Sequence, residues 1–184
     1  MRLRDGDPPA PTLALVAGVA LHETASLHGA EVQLKWPNDL LSCSPAKAGG
    51  QASGAAGLPK LAGILLERHE QAVVIGCGAN LAHHPQDLDR PATSLAALTG
   101  TAPDPQSFVE HLAEIFARHL ARWRAEGLRP LIALWLRSAH PLGTALSTPE
   151  GEGLFDGLDE TGALRLRLAD GTSRVIHAGD VFLI

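Results

Sequence analysis

Two lysines and a set of glycines, spread over three short stretches, are the residues best suited to chemistry in this chain. Lys35-Trp36-Pro37-Asn38-Asp39 comes first, then Lys60-Leu61-Ala62-Gly63-Ile64-Leu65-Leu66-Glu67, then Ile75-Gly76-Cys77-Gly78-Ala79-Asn80. Each joins an apolar, strand-like run to a polar residue that can meet a ligand. The lysines point to an anionic substrate, and the glycines allow close approach to the backbone. A lysine three residues ahead of Gly63 can grip a carboxylate or phosphate while the strand backbone holds the rest of the ligand. Taken alone, Lys60 equally ends a linker and Gly63 equally marks a bulge. Asp39 either coordinates a magnesium ion through its carboxylate or holds Lys35 in place, and Asn38 and Asp39 also suit a simple turn. Asn80 offers both donor and acceptor to a nucleobase edge or a phosphate. Gly76 to Asn80 is not a dinucleotide fingerprint, because the third glycine and the following helix are lacking; by itself it reads as a tight turn.

The elements that must position these residues follow from periodicity. Pro11 to His28 reads as a helix, with Leu13, Val16, Ala20 and Leu27 on one face and Gly29 as the stop. Val32, Leu34 and Trp36 alternate with Glu31, Gln33 and Lys35, a half-buried strand that places Lys35 on the open face. Pro37 ends that strand and begins a turn carrying Asn38 and Asp39 at the lip of the sheet. Residues 42–59 are mostly Ala, Gly, Ser and Pro without periodicity, and read as a flexible insertion. Leu61 to Glu67 and Ala72 to Gly78 are further strands. Thr93 to Leu98 is a short helix capped by Thr93 and stopped by Gly100. Asp104-Pro105 opens a long helix in which Phe108, Leu112, Ile115, Phe116, His119, Leu120 and Trp123 recur at three- and four-residue steps. A further helix starts at Pro130. From Gly143 the pattern changes to short strands, with a hairpin at Asp170-Gly171, the signature of a small β-barrel. The chain is therefore cut near Pro141.

Composition excludes several classes. The chain has 184 residues, a net charge of −5 and no basic block, so no nucleic-acid surface is expected. Cys43 and Cys77 lie far apart, with no zinc spacing, which fits a reduced cytoplasmic protein. The apolar run Leu13 to Leu21 is interrupted by Gly18 and too short for a bilayer, and Met1 to Pro9 lacks the apolar region of a signal peptide. His83-His84 reads as a polar loop rather than a metal site. Cys77 reads as a small buried residue, since no base lies near it in sequence. His111 and His119 read as helix-face residues, and Phe116, Trp123 and Trp135 as core.

Taken together and in this order, the three stretches resemble the catalytic core of biotin protein ligases, which attach biotin to carboxylase carrier domains using ATP. The resemblance covers roughly residues 11–140, and the terminal strands resemble the small module such enzymes carry. It implies an α+β fold related to class II aminoacyl-tRNA synthetases, a mixed sheet with helices over residues 1–141, followed by an SH3-like β-barrel over 142–184. It implies two steps: biotin attacks the α-phosphate of ATP to give biotinyl-5′-AMP, and a carrier-protein lysine then takes the biotinyl group. By the same resemblance Lys60 is the catalytic lysine between the biotin carboxyl and the α-phosphate, Gly63 lines the biotin pocket, and Lys35, Asn38, Asp39, Gly78 and Asn80 face the nucleotide, with Asp39 on Mg2+. The partner implied is the biotin carboxyl carrier domain of acetyl-CoA carboxylase; a homodimer is compatible, and neither nucleic acid nor membrane is implied. The family's Thr/Ser-rich strand, its Gln and its Gly/Arg-rich loop are expected ahead of Met1. Residues 1–184 alone are therefore expected to form little biotinyl-5′-AMP. Two alternatives stay open: a non-catalytic nucleotide- or protein-binding remnant, and a lipoate-attaching relative.

Overall fold

A computed structural model describes residues 1–44, 57–86, 88 and 90–184. Most of the 42–59 stretch read as a flexible insertion lies outside the described residues. After a 3-10 turn at Ala10–Thr12, helix α1 spans Leu13–Leu27. It is apolar almost all round, as a central core helix must be, and Leu13, Val16, Ala17, Val19, Ala20 and Leu21 are buried. Gly18 lets the Val32–Lys35 strand approach, since a Cβ there would lie 3.3 Å from Leu34 Cδ2. Leu27, expected on the same face as Leu13, is exposed instead, as the last residue of the helix before the Gly29 stop. Ala10–Leu27 is long and apolar enough on composition to cross a bilayer, a longer run than the nine residues read from sequence, yet most of it is buried inside the fold.

Strands β1 (Val32–Lys35), β2 (Asp39–Ser42), β3 (Lys60–His69) and β4 (Ala72–Ala79) form one sheet in chain order. The sheet expected as mixed is antiparallel between these strands, with parallel pairing only in isolated bridges, Leu34 with Ala139 and Lys60 with Ala92. Register fixes what meets what. Leu34, Leu40, Ala62 and Ala79 form one cross-strand row, and its first three members are buried in the core. The next row is Lys35, Asp39, Gly63 and Gly78, on the opposite face. Asp39 is thus the first residue of β2 rather than part of a free turn; a cis Trp36–Pro37 peptide lies in the connection.

Helix α2 (Leu95–Thr99) is capped by Ser94, whose hydroxyl accepts from Ala97 N, one residue later than the Thr93 cap read from sequence. Thr93 N instead donates to Lys60 O at 2.9 Å. Helix α3 (Pro105–Glu126) begins as expected, with Asp104 Oδ2 accepting from Ser107 N at 2.9 Å, and Gly127 follows it at φ 75°. His119 is not a surface residue of this helix. It is buried against α1, with Nε2 2.9 Å from Glu23 Oε1. Helix α4 (Arg129–Arg137) buries Leu131, Ile132 and Trp135.

Beyond α4, strands β5 (Ala145–Thr148), β6 (Gly151–Leu158), β7 (Leu164–Arg167), β8 (Ser173–Ile176) and β9 (Phe182–Leu183) form a second antiparallel sheet, order β8-β7-β6-β5-β9. Leu164 and Leu166 point inward and Arg165 and Arg167 outward, and Thr172 N donates to Asp170 Oδ1 in the β7–β8 turn. The strand order leaves β8 and β9 at its two edges. This sheet shares a single apolar cluster with the helices: Trp135 meets Phe155 edge-on at 6.4 Å between centroids, and Leu146, Leu166 and Val181 belong to the same core. Trp36 Nε1 also donates to Gly162 O at 3.1 Å.

His140 sits at this seam, 3% exposed, its ring 4.3 Å from that of Phe155, with neither ring nitrogen hydrogen-bonded. Burial holds its pKa down at about 4 against an opposing pull from the Pro141 backbone, with the nearby Lys35 charge adding to the depression. The unfolded chain therefore binds a proton below pH 6.5 that the folded chain refuses until about pH 4. Folding stability should fall by about 3 kcal/mol as pH drops across that window. Urea unfolding at pH 7 and pH 4 measures this; His140→Phe should remove most of the slope, and an unchanged slope would locate the acid sensitivity elsewhere.

Candidate active site

The polar row on the first sheet builds the site. Asp39 is 7% exposed, and its two oxygens are divided between two lysines. Oδ1 lies 2.5 Å from Lys60 Nζ and Oδ2 lies 2.8 Å from Lys35 Nζ. Burial alone would push the Asp39 carboxyl up; the two ammoniums outweigh it and hold the group below the ordinary carboxylate range. Lys60 reaches this face because pairing slips between Leu40 and Leu41, which sets Leu41 opposite Lys60. Regular alternation would send Lys60 to the side of Ala62. The irregularity buries Leu61 and Ala62 together and leaves the Lys60 side chain 46% exposed above Gly63.

Gly63 is required by this arrangement. A Cβ there would lie 2.8 Å from Lys60 Nζ and 2.9 Å from Cε, so any side chain must displace the ammonium. A Cβ at Gly78 would meet nothing within 4 Å, so that glycine borders open space. Two adjoining depressions use this floor. One, of about 630 Å³, is lined among others by Lys60, Gly63, Gly78, Asn80 and Arg90. The other, of about 450 Å³, runs along Ile64, Leu65, Gly76 and Cys77 and shares Lys60, Gly63 and Gly78 with the first. A half-exposed ammonium above a strip of bare backbone, beside an apolar wall, suits a ligand with one anionic centre and an apolar arm.

Several expected site residues are placed differently. Lys35 does not stand on an open face; it is 7% exposed, and its Nζ also donates to Val181 O at 2.8 Å. The second sheet covers the face that periodicity left free. Asn38 is a clamp: Nδ2 donates to Ile64 O at 2.7 Å and its carbonyl accepts from Ile64 N at 2.9 Å. Asn80 lines the larger depression, but its Nδ2 donates to Thr93 O at 2.9 Å. Asp39 does not fit a magnesium ligand, because both oxygens are taken by ammoniums, and no group of three His, Cys, Asp or Glu gathers among the described residues. Arg90 escaped the sequence reading. It lines the larger depression, with its guanidinium carbon 4.2 Å from the centroid of Phe182. No local pattern marks Arg90 or His140.

Fold and site together define an α+β core with an appended antiparallel sheet and a half-exposed ammonium over bare strand backbone. The family model described as "Biotin/lipoate A/B protein ligase family" matches residues 6–80, and "Biotin protein ligase C terminal domain" matches residues 144–184. The chain is similar to a biotin--[acetyl-CoA-carboxylase] ligase of Paracoccus denitrificans, 36% identical over 99% of this chain and 77% of that protein. It is also similar to a ligase of the same name from Mycobacterium tuberculosis, at 32% identity over 92% of this chain and 61% of that one. The fold matches the biotin protein ligase of Aquifex aeolicus solved in complex with biotin and ATP, with a TM-score of 0.78 at 20% identity, covering 95% of this chain and 72% of that one. This chain belongs to the biotin protein ligase family.

Proposed function

We propose that the chain is an ATP-dependent biotin–carrier ligase, which forms biotinyl-5′-AMP and passes the biotinyl group to a lysine of a biotin carboxyl carrier domain. The observation that carries this reading is Lys60: a half-exposed ammonium, anchored by Asp39, above the Gly63–Gly78 floor. When the biotin carboxylate attacks the α-phosphate, negative charge accumulates between the two groups. Lys60 neutralises that charge, and because its head is already tethered, little reorganisation is needed. Gly63 admits the biotin head to the strand backbone, and the exposed Leu65 side chain receives its apolar arm. Asn80 and Arg90, on the larger depression, face the nucleotide. Asn38 holds the β1–β2 connection against β3, and Lys35 acts from behind. Magnesium accompanies the nucleotide phosphates and has no ligand in Asp39.

Residues 1–141 form the catalytic unit and 142–184 the accessory one in this reading, which assigns the reaction to the cytoplasm. The match of the terminal residues to a biotin ligase module supports biotin over lipoate. Adenylation distinguishes the readings. With MgATP, biotin and not lipoate should give an acyl-adenylate. Lipoyl-5′-AMP as the main product, or no acyl-adenylate from either acid, would overturn the reading.

A further inference from the structure

We propose that Lys35 is a charge-compensating positioning residue: buried behind Asp39 and pinned by the Val181 carbonyl, it neutralises that carboxylate so that the charge of Lys60 stays uncompensated and available to an anionic ligand. The geometry divides one carboxylate between two cations, Oδ2 to the buried Lys35 and Oδ1 to the half-exposed Lys60. Two ammoniums and one carboxylate leave a net charge of +1. Only Lys60 can present it, because Lys35 borders neither depression. Without Lys35, Asp39 and Lys60 would form a neutral closed pair and the site would lose its attraction for anions.

What holds Lys35 in place comes from the far end of the chain. Its second contact, beside Asp39, is the main-chain carbonyl of Val181, 2% exposed, just before β9. The next residue, Phe182, lies beneath Arg90. Residues 181 and 182 thus touch both a support of Lys60 and the other cation of the larger depression. The accessory sheet enters the site through a backbone oxygen that no side-chain pattern could reveal. Among the described residues, the charged and titratable groups around Lys60 are Asp39 on β2, Lys35 on β1, and Arg90 and Cys77 lining the two depressions, with His140 near Lys35 kept neutral by burial.

The inference takes its ligand from the ligase reading but not its geometry, and two readouts separate them. The first is acetylation of Lys60 by limiting acetic anhydride at fixed pH, quantified by mass spectrometry. The second is the Kd for biotinyl-5′-AMP. Lys35→Met should slow Lys60 acetylation and weaken adenylate binding by about tenfold or more each, because Asp39 then gives its whole charge to Lys60. Lys35→Arg, which keeps the charge, should restore much of both. Lys35→Met combined with Asp39→Asn should label at least as fast as the unaltered protein. An opened structure would label faster rather than slower, so loss of the fold cannot imitate the expected slowing, and the double variant buries no lone charge. Unchanged acetylation in Lys35→Met, or a double variant as slow as the single one, would overturn the inference. The expected acetylation pattern without adenylate binding by the unaltered protein would sink the ligase reading and leave the charge arrangement standing.

Discussion

Lys60→Ala should lower the rate of biotinyl-5′-AMP formation by about a hundredfold to a thousandfold, the loss found when a pre-placed donor to a developing anion is removed. The effect belongs to the transition state, because Lys60 is tethered by Asp39 at 2.5 Å before any ligand arrives. It is best measured as biotin-dependent pyrophosphate release. Stability should barely change, by less than about 1 kcal/mol, since the Lys60 side chain is half in solvent and exposed ion pairs contribute little. A rate within threefold of the unaltered protein would remove Lys60 from the chemistry.

Asp39→Ala should do the reverse first and then the same: it should unfold more readily and also lose activity. Removing the carboxylate leaves Lys35 buried with only the Val181 carbonyl as partner, and breaking a buried pair costs about 3–5 kcal/mol. The urea midpoint reports this directly. The pH signature has a definite sign. Because the folded carboxyl sits below its ordinary value, its contribution is full above about pH 4 and is lost as pH falls through the folded value. That window lies below the His140 window, so the two acid effects separate on a stability–pH curve. An Asp39→Ala protein as stable as the unaltered one would mean that Lys35 escapes to solvent and that the buried network is not a fixed feature.

How much of this was legible in the sequence depends on distance along the chain. The long helix from Asp104-Pro105, the strand at β1 and the Asp170-Gly171 turn are local patterns, and the structure carries all three, though not the open face that the β1 alternation implied for Lys35. The nearness of Lys60 and Gly63 was also readable. The burial of Lys35 was not, because its covering oxygen is 146 positions away. Nor was the slip between Leu40 and Leu41, since a bulge in a run of similar apolar residues leaves no compositional mark. Asn38 and Asn80 were rightly singled out as polar groups at strand ends, but a side-chain amide at such a place is as readily used on a neighbouring carbonyl as on a ligand. Arg90 and His140 gain their importance from partners contributed by the accessory sheet, Phe182 and Phe155.

The measurement that bears most directly on the central claim is equilibrium binding of biotinyl-5′-AMP by calorimetry, with Lys60→Ala as the comparison. One-to-one saturable binding, weakened at least about tenfold by Lys60→Ala and not matched by lipoyl-5′-AMP, is the expected result. No saturable binding, or equal affinity with and without the Lys60 ammonium, would contradict it.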